Sequence, residues 1–216
     1  MEYKLSASIL NANFLSLKKD IDSVIKYIDE IHLDIMDGHF VENLSYGFPI
    51  LEALKNQNYK KPLDTHLMIS NPQKYWKSFC KQGSDILTFH YETTSHSYII
   101  LKKILEFGCQ AGISLTPATP IEVINPIKNY IDRILIMTVE PGFGGQSLIP
   151  EMLEKIEKAR RIVGDGVDIE VDGGVKPKLI NDLKKAGANV FVVGSYIFKA
   201  GNKKENCNKL IKLIKN

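Results

Sequence analysis

Asp168-Ile169-Glu170-Val171-Asp172-Gly173-Gly174 and, one amphipathic stretch later, Val190-Phe191-Val192-Val193-Gly194-Ser195 read as strand, helix, strand. Both runs are short and apolar, and both leave into glycine. The segment between them ends on Ala186-Gly187, a helix stop. Working outward, the same unit recurs along the whole chain. Further strand-like runs are Tyr3–Ser8, Ile31–Ile35, Leu63–Met68, Ile86–His90, Gln110–Leu115 and Arg133–Met137, which with Asp168–Val171 and Val190–Val193 make eight. Dividing 216 residues by eight allows 27 each, about what one βα unit needs.

Helical spacing fills the gaps. Ile21, Val24, Ile25 and Ile28 follow the i, i+3, i+4, i+7 rule, as do Cys207, Leu210, Ile211 and Ile214. Pro150 stands where a helix begins, with Met152, Ile156, Ala159 and Val163 as its buried stripe. Gly83 and Gly108 close two more helices. An alternating βα pattern demands a parallel sheet. Eight units without a composition break, and no G-x-G-x-x-G turn after Ser8, predict a single-domain (β/α)₈ TIM barrel over residues 1–216 rather than an open sheet.

Composition narrows the function classes. At 44% apolar and 25% charged residues the chain has enough core formers to offset chain entropy. Net charge is only +3, and Arg133, Arg160 and Arg161 are the sole arginines among 28 basic residues. That argues against sequence-specific nucleic-acid binding, and predicts that any phosphate is held by backbone amides. The lysines near the C-terminus interleave with Leu and Ile, as on a solvated helix face. Cys80, Cys109 and Cys207 are too few and too scattered for a disulfide framework. With no apolar leader at Met1–Leu10 and no apolar run of about 20 residues, a cytoplasmic protein without a membrane partner is expected.

In a barrel, chemistry lies at the C-terminal ends of the strands. There the second strand carries His32 and Asp34, which face one way while Leu33 and Ile35 face the other. The third strand brings His66, and the seventh brings Asp172. Two imidazoles and two carboxylates converging from three strands predict a mononuclear divalent metal site, open to Zn²⁺, Fe²⁺, Mn²⁺ or Co²⁺. Asp37-Gly38 reads as a turn with His39 placing the loop. His90, beside Glu92, either orients a neighbour or is merely buried, and His96 is expected to be exposed. Gly173, Gly174, Gly194 and Ser195 lie in the loops where such barrels bind phosphate. Gly142, Phe143, Gly144 and Gly145 form a loop able to close over a ligand, and Met36, Met68 and Met137 suggest an apolar lining.

Taken in order, several segments resemble the ribulose-phosphate 3-epimerase family. They are Ser6-Ala7-Ser8-Ile9-Leu10, His32-Leu33-Asp34-Ile35-Met36-Asp37-Gly38-His39-Phe40-Val41 and Asp64-Thr65-His66-Leu67-Met68. Met137 to Gln146, Val171 to Val175 and Gly194 to Phe198 complete the match. The resemblance implies that His32, Asp34, His66 and Asp172 hold the metal and that Asp34 and Asp172 are the catalytic acid–base pair. It implies that Ser8, His66, Gly142, Phe143, Gly144, Gly145, Asp172, Gly173, Gly174, Gly194 and Ser195 contact a pentulose phosphate, and that the chain forms a homo-oligomer. The expected reaction interconverts D-ribulose 5-phosphate and D-xylulose 5-phosphate through a metal-stabilised 2,3-enediolate. Glu42, Asn13 and Thr116 depart from the family pattern, and none is a ligand or proton carrier. Rival readings are an epimerase of a six-carbon ketose phosphate such as allulose 6-phosphate, and a non-catalytic sugar-phosphate binder. A metal-independent decarboxylase is disfavoured, since Asp34-Ile35-Met36 lacks the lysine of Asp-x-Lys-x-x-Asp.

Overall fold

Side chains alternate in and out along a strand, and in this chain the two sets differ in chemistry. The computed structural model describes residues 1–216. Its strands are β1 Lys4–Ser8, β2 Glu30–Met36, β3 Leu63–Met68, β4 Ile86–His90, β5 Gln110–Leu115, β6 Arg133–Met137, β7 Asp168–Asp172 and β8 Val190–Val193. All pair in parallel in chain order, and β8 returns to β1 to close the barrel. The helices are α1 Leu17–Val24, α2 Phe48–Asn56, α3 Pro72–Gln82, α4 Ser97–Phe107, α5 Met152–Val163, α6 Ile180–Ala186, α7 Ser195–Phe198 and α8 Lys203–Lys215.

Outward residues such as Leu33, Leu67, Phe89, Ile113, Ile136, Val171 and Phe191 share one apolar core with Ile21, Leu51, Phe79, Leu101, Ile156, Leu183 and Leu210 of the helices. Each such side chain contributes roughly 1.5–3 kcal/mol when buried. The shell between strands and helices therefore supplies the stabilising burial. Gly83, Gly108 and Gly187 end their helices in the left-handed conformation, as the sequence predicts.

Three expectations need correction. No α-helix follows β5; two 3₁₀ turns at Ile121–Ile124 and Lys128–Tyr130 take its place. Pro117, Pro120 and Pro126 remove backbone donors there and block a regular helix. Helix α1 ends at Val24, so Ile25 caps it and Ile28 is buried beyond its end. In α5 the stripe of Met152, Ile156 and Ala159 is buried, whereas Val163 is only partly so.

The barrel interior is largely polar, with Ile86, Leu135, Val190 and Val192 as its apolar members. Ser6, Glu30, His32, Asp64, His66, Thr88, Ser114, Arg133 and Glu170 are all buried. Arg133 reaches across the barrel and donates two 2.7 Å hydrogen bonds to the Glu30 carboxylate. It also lies 3.3 Å from Asp64 and 3.5 Å from Glu170. Burial pushes Glu170 up to about 8, helped by the neighbouring Asp64 charge. Burial pushes Asp64 the same way, but His32 and Arg133 outweigh it and hold Asp64 below the usual carboxylate range. Removing one member of a buried ion cluster strands the others. Arg133→Met is therefore expected to lower stability by about 3–5 kcal/mol at neutral pH. Without the guanidinium the remaining carboxyl groups acquire raised folded-state values, so their cost falls as pH is lowered and grows as it rises. Urea unfolding of both proteins across pH 5 to 8 reads this; a constant difference, or none, would refute it.

Candidate active site at the barrel mouth

Strand register brings the polar residues together. In the β2–β3 pair Asp34 stands opposite His66 and His32 opposite Asp64, while β7 delivers Asp172 opposite Met137 of β6. One ligating atom from each of His32, Asp34, His66 and Asp172 lies within 4.8 Å of all the others. Nε2 of His32 and Nδ1 of His66 each stand 3.4 Å from Oδ1 of Asp34, and 3.9 and 4.0 Å from Oδ2 of Asp172. Those two ring nitrogens are buried without any hydrogen-bond partner. An orphaned buried polar atom is costly, and two aimed at the same point imply an absent partner. Tetrahedral donors around an ion at roughly 2.1 Å lie about 3.4 Å apart. The residues fit a divalent cation, and the mixed nitrogen and oxygen set suits Zn²⁺, Fe²⁺, Mn²⁺ or Co²⁺.

The far side of each histidine is occupied. Nδ1 of His32 lies 2.6 Å from Oδ2 of Asp64, and Nε2 of His66 lies 2.8 Å from Nε2 of His90. Ser8 donates to Oδ2 of Asp34 at 2.7 Å. The Asp34 amide donates to the Tyr46 hydroxyl, and Ser45 ties the loop back to the Asp34 carbonyl.

The two carboxylates are held in opposite states. Burial raises both, but His32 and His66 outweigh it at Asp34, whose value falls far below the usual range. At Asp172 burial and the Asp34 charge win, and the group is pushed up to about 7. Burial lowers His66 to about 4, so it is neutral at physiological pH. For His32 the charges of Asp64 and Asp34 overcome desolvation and raise it well above its ordinary value.

Above the cluster, Ser8, the three methionines, Gly142 to Gly145, Gly173, Gly174, Gly194 and Ser195 line one cleft with Asp34 and Asp172. His32 and His66 are fully buried beneath it. Gly174 has φ 67°, and a Cβ there would sit 2.4 Å from the Leu148 amide nitrogen, so only glycine fits. Phe143 is 55% exposed at the rim. Asp37 accepts from the His39 and Phe40 amides, as a turn residue does, and its other oxygen holds Ser70. His39 and His96 are exposed and away from the cluster. Sequence reasoning missed Arg133, Glu30, Glu170, Ser45 and Tyr46. Inward parity with His32 marks Glu30, and parity with Asp172 marks Glu170.

The model of the Ribulose-phosphate 3 epimerase family matches residues 4–198. The ribulose-phosphate 3-epimerase of Buchnera aphidicola from Acyrthosiphon pisum is 43% identical over 217 residues, covering 99% of this chain and 95% of that protein. The Escherichia coli K12 protein of the same name is 41% identical over 201 residues, covering 91% of this chain and 89% of its own length. The crystal structure of a 3-hexulose-6-phosphate synthase superposes with TM-score 0.74 at 21% identity, covering 98% and 99% of the two chains. At that identity the likeness shows the fold alone.

Metal ligation requires His32 to shed the proton that the metal-free site holds on its ring, whereas Asp172 can ligate through one oxygen and keep a proton on the other. Binding of Co²⁺ to metal-free protein should therefore release about one proton near pH 6.5, and affinity should climb with pH until His32 is neutral. Calorimetry in buffers of different ionisation enthalpy measures the count; an affinity independent of pH would contradict this electrostatic reading.

Proposed function

The chain belongs to the ribulose-phosphate 3 epimerase family, and from that premise we propose that Asp34 and Asp172 move the C3 proton that distinguishes D-ribulose 5-phosphate from D-xylulose 5-phosphate. The observation that carries the assignment is the opposed state of the two carboxyl groups. Asp34 is held ionised and ready to accept a proton, while Asp172 sits near neutrality, able to give one. Adjacent titratable groups driven apart in this way are the mark of an acid–base pair.

Inversion at a carbon requires the proton to leave one face and return to the other. Asp34 projects from β2 and Asp172 from β7, strands that are not neighbours in the barrel. The amides around Gly173, Gly174 and Gly194, with the Ser195 hydroxyl, suit the phosphate, and a sugar fixed at that end cannot turn over between the two carboxyl groups. Ser8 steadies Asp34 through its 2.7 Å hydrogen bond, so the carboxylate keeps its aim when its charge changes. Met36, Met68 and Met137 give the cleft apolar surface beside Asp34 and Asp172, suited to excluding water from the reacting carbons of a bound sugar. A divalent cation held by His32, Asp34, His66 and Asp172 supplies the Lewis acidity that makes the proton beside the carbonyl removable.

We place the enzyme in the cytoplasm as a homo-oligomer. No helix is long and apolar enough to cross a membrane. The exposed Phe14, Leu15 and Leu44 near the mouth support association through that surface.

A coupled assay of ribulose 5-phosphate conversion to xylulose 5-phosphate, before and after chelation and metal return, tests the activity. Restored turnover with a divalent metal supports it; inactivity of folded, metal-loaded protein with this substrate defeats it. Asp34→Asn and Asp172→Asn should each lose at least about 10²-fold in kcat. With two bases, one variant should still wash solvent deuterium into C3 of a single epimer. Near wild-type turnover in either variant excludes the two-base scheme.

A further inference from the structure

His66 presents two nitrogens to two different worlds. Nδ1 points without a partner at Asp34 and Asp172, whereas Nε2 meets Nε2 of His90 at 2.8 Å. A neutral imidazole has one N–H and one lone pair, so only one arrangement frees Nδ1 for a metal. His66 must carry its hydrogen on Nε2 and donate it to His90. His90 must then carry its own hydrogen on Nδ1, which faces Oε2 of Glu92 at 3.2 Å.

Glu92 completes the chain at the surface. Its other oxygen, Oε1, accepts from the Thr116 amide at 2.8 Å and from the Thr119 hydroxyl. Lys155 braces the loop behind it by donating to the Thr116 carbonyl at 2.6 Å and to the Pro117 carbonyl at 3.3 Å. Phe40 packs on the His90 ring with centroids 4.5 Å apart, and His90 is fully buried. Nothing in this train is free to reorient cheaply.

We infer that His90 and Glu92 are positioning residues that set the tautomer of His66, so that its Nδ1 lone pair is always offered to the metal. The inference rests on the metal reading of the site given above. Its geometry differs from that of His32, whose partner Asp64 acts directly at 2.6 Å. Carboxylates that act behind a ligating histidine are worth about 10–100-fold in metal affinity.

A near-isosteric change gives a sharp test. In Glu92→Gln the amide oxygen must stay on the Thr116 N–H, which turns the amide NH₂ toward His90. His90 then accepts at Nδ1 and donates from Nε2. His66 is forced to accept at Nε2 and to carry its hydrogen on Nδ1, where the metal belongs. Glu92→Ala leaves His90 facing water and free to choose either tautomer. Co²⁺ affinity, read by absorption titration of metal-free protein, should therefore fall about 10–100-fold in the Gln variant and less in the Ala variant. A packing role gives the opposite order, because Ala removes more.

Equal or greater loss in the Ala variant overturns the inference, as does unchanged affinity in the Gln variant. Imidazole ¹⁵N shifts of the wild-type chain give an independent reading that needs no variant. They should show hydrogen on Nε2 of His66 and on Nδ1 of His90, and the reverse pattern refutes the relay. Failure of the wild-type chain to take up Co²⁺ would remove the metal reading itself. Uptake by the wild type with no effect of Glu92→Gln would remove only the relay.

Discussion

One face of strand β2 governs the interior. Glu30, His32 and Asp34 lie in line along it, because every second residue of a strand points the same way. Glu30 receives Arg133 at the floor, His32 meets Asp64 in the middle, and Asp34 faces the open mouth. Inside a barrel of this size there is little water to screen these charges, so each is held by its neighbour. The 2.6 Å contact between His32 and Asp64 couples the buried ions below to the His and Asp cluster above. A one-residue slip of β2 would turn all three side chains into the apolar shell at once.

The environment of the four converging side chains is uneven by construction. Asp34 sits between two imidazoles and Ser8, whereas Asp172 enters from the opposite wall and faces a carboxylate. Two residues of the same type thereby hold different charge states without any difference in covalent chemistry. The histidines differ in a parallel way. Asp64 and Asp34 pull His32 toward the cationic form, while His66, backed by neutral His90, stays uncharged.

Much of this was legible in the sequence, because strand periodicity and strand-end position are local properties. His32, Asp34, His66 and Asp172 could be placed on one side of their strands by parity alone. The glycines after β7 and β8 announced themselves in the same way. Arg133 could not be read so directly. Its meaning depends on Glu30, 103 positions earlier in the chain, and the two meet only once the barrel has closed. Tyr46 and Ser45 were hidden for a related reason, since the loop after β2 doubles back onto its own strand. The missing helix after β5 was written in Pro117, Pro120 and Pro126, but repeat counting favoured a regular eighth of the pattern over local backbone chemistry.

Thr138, immediately after β6, joins two loops of the barrel mouth. Its amide and hydroxyl both bond to the Asp172 carbonyl, the hydroxyl also bonds to that of Gly173, and its own carbonyl accepts from Ile149 beyond the glycine-rich loop. Gly174 in turn lies against the backbone of Gln146 to Leu148 with no room to spare. The glycine segment after β7 and the glycine-rich loop after β6 are consequently one mechanical body, sewn together at both ends. A force applied to either is felt by the other, and through the Asp172 carbonyl by the carboxyl group on the same residue.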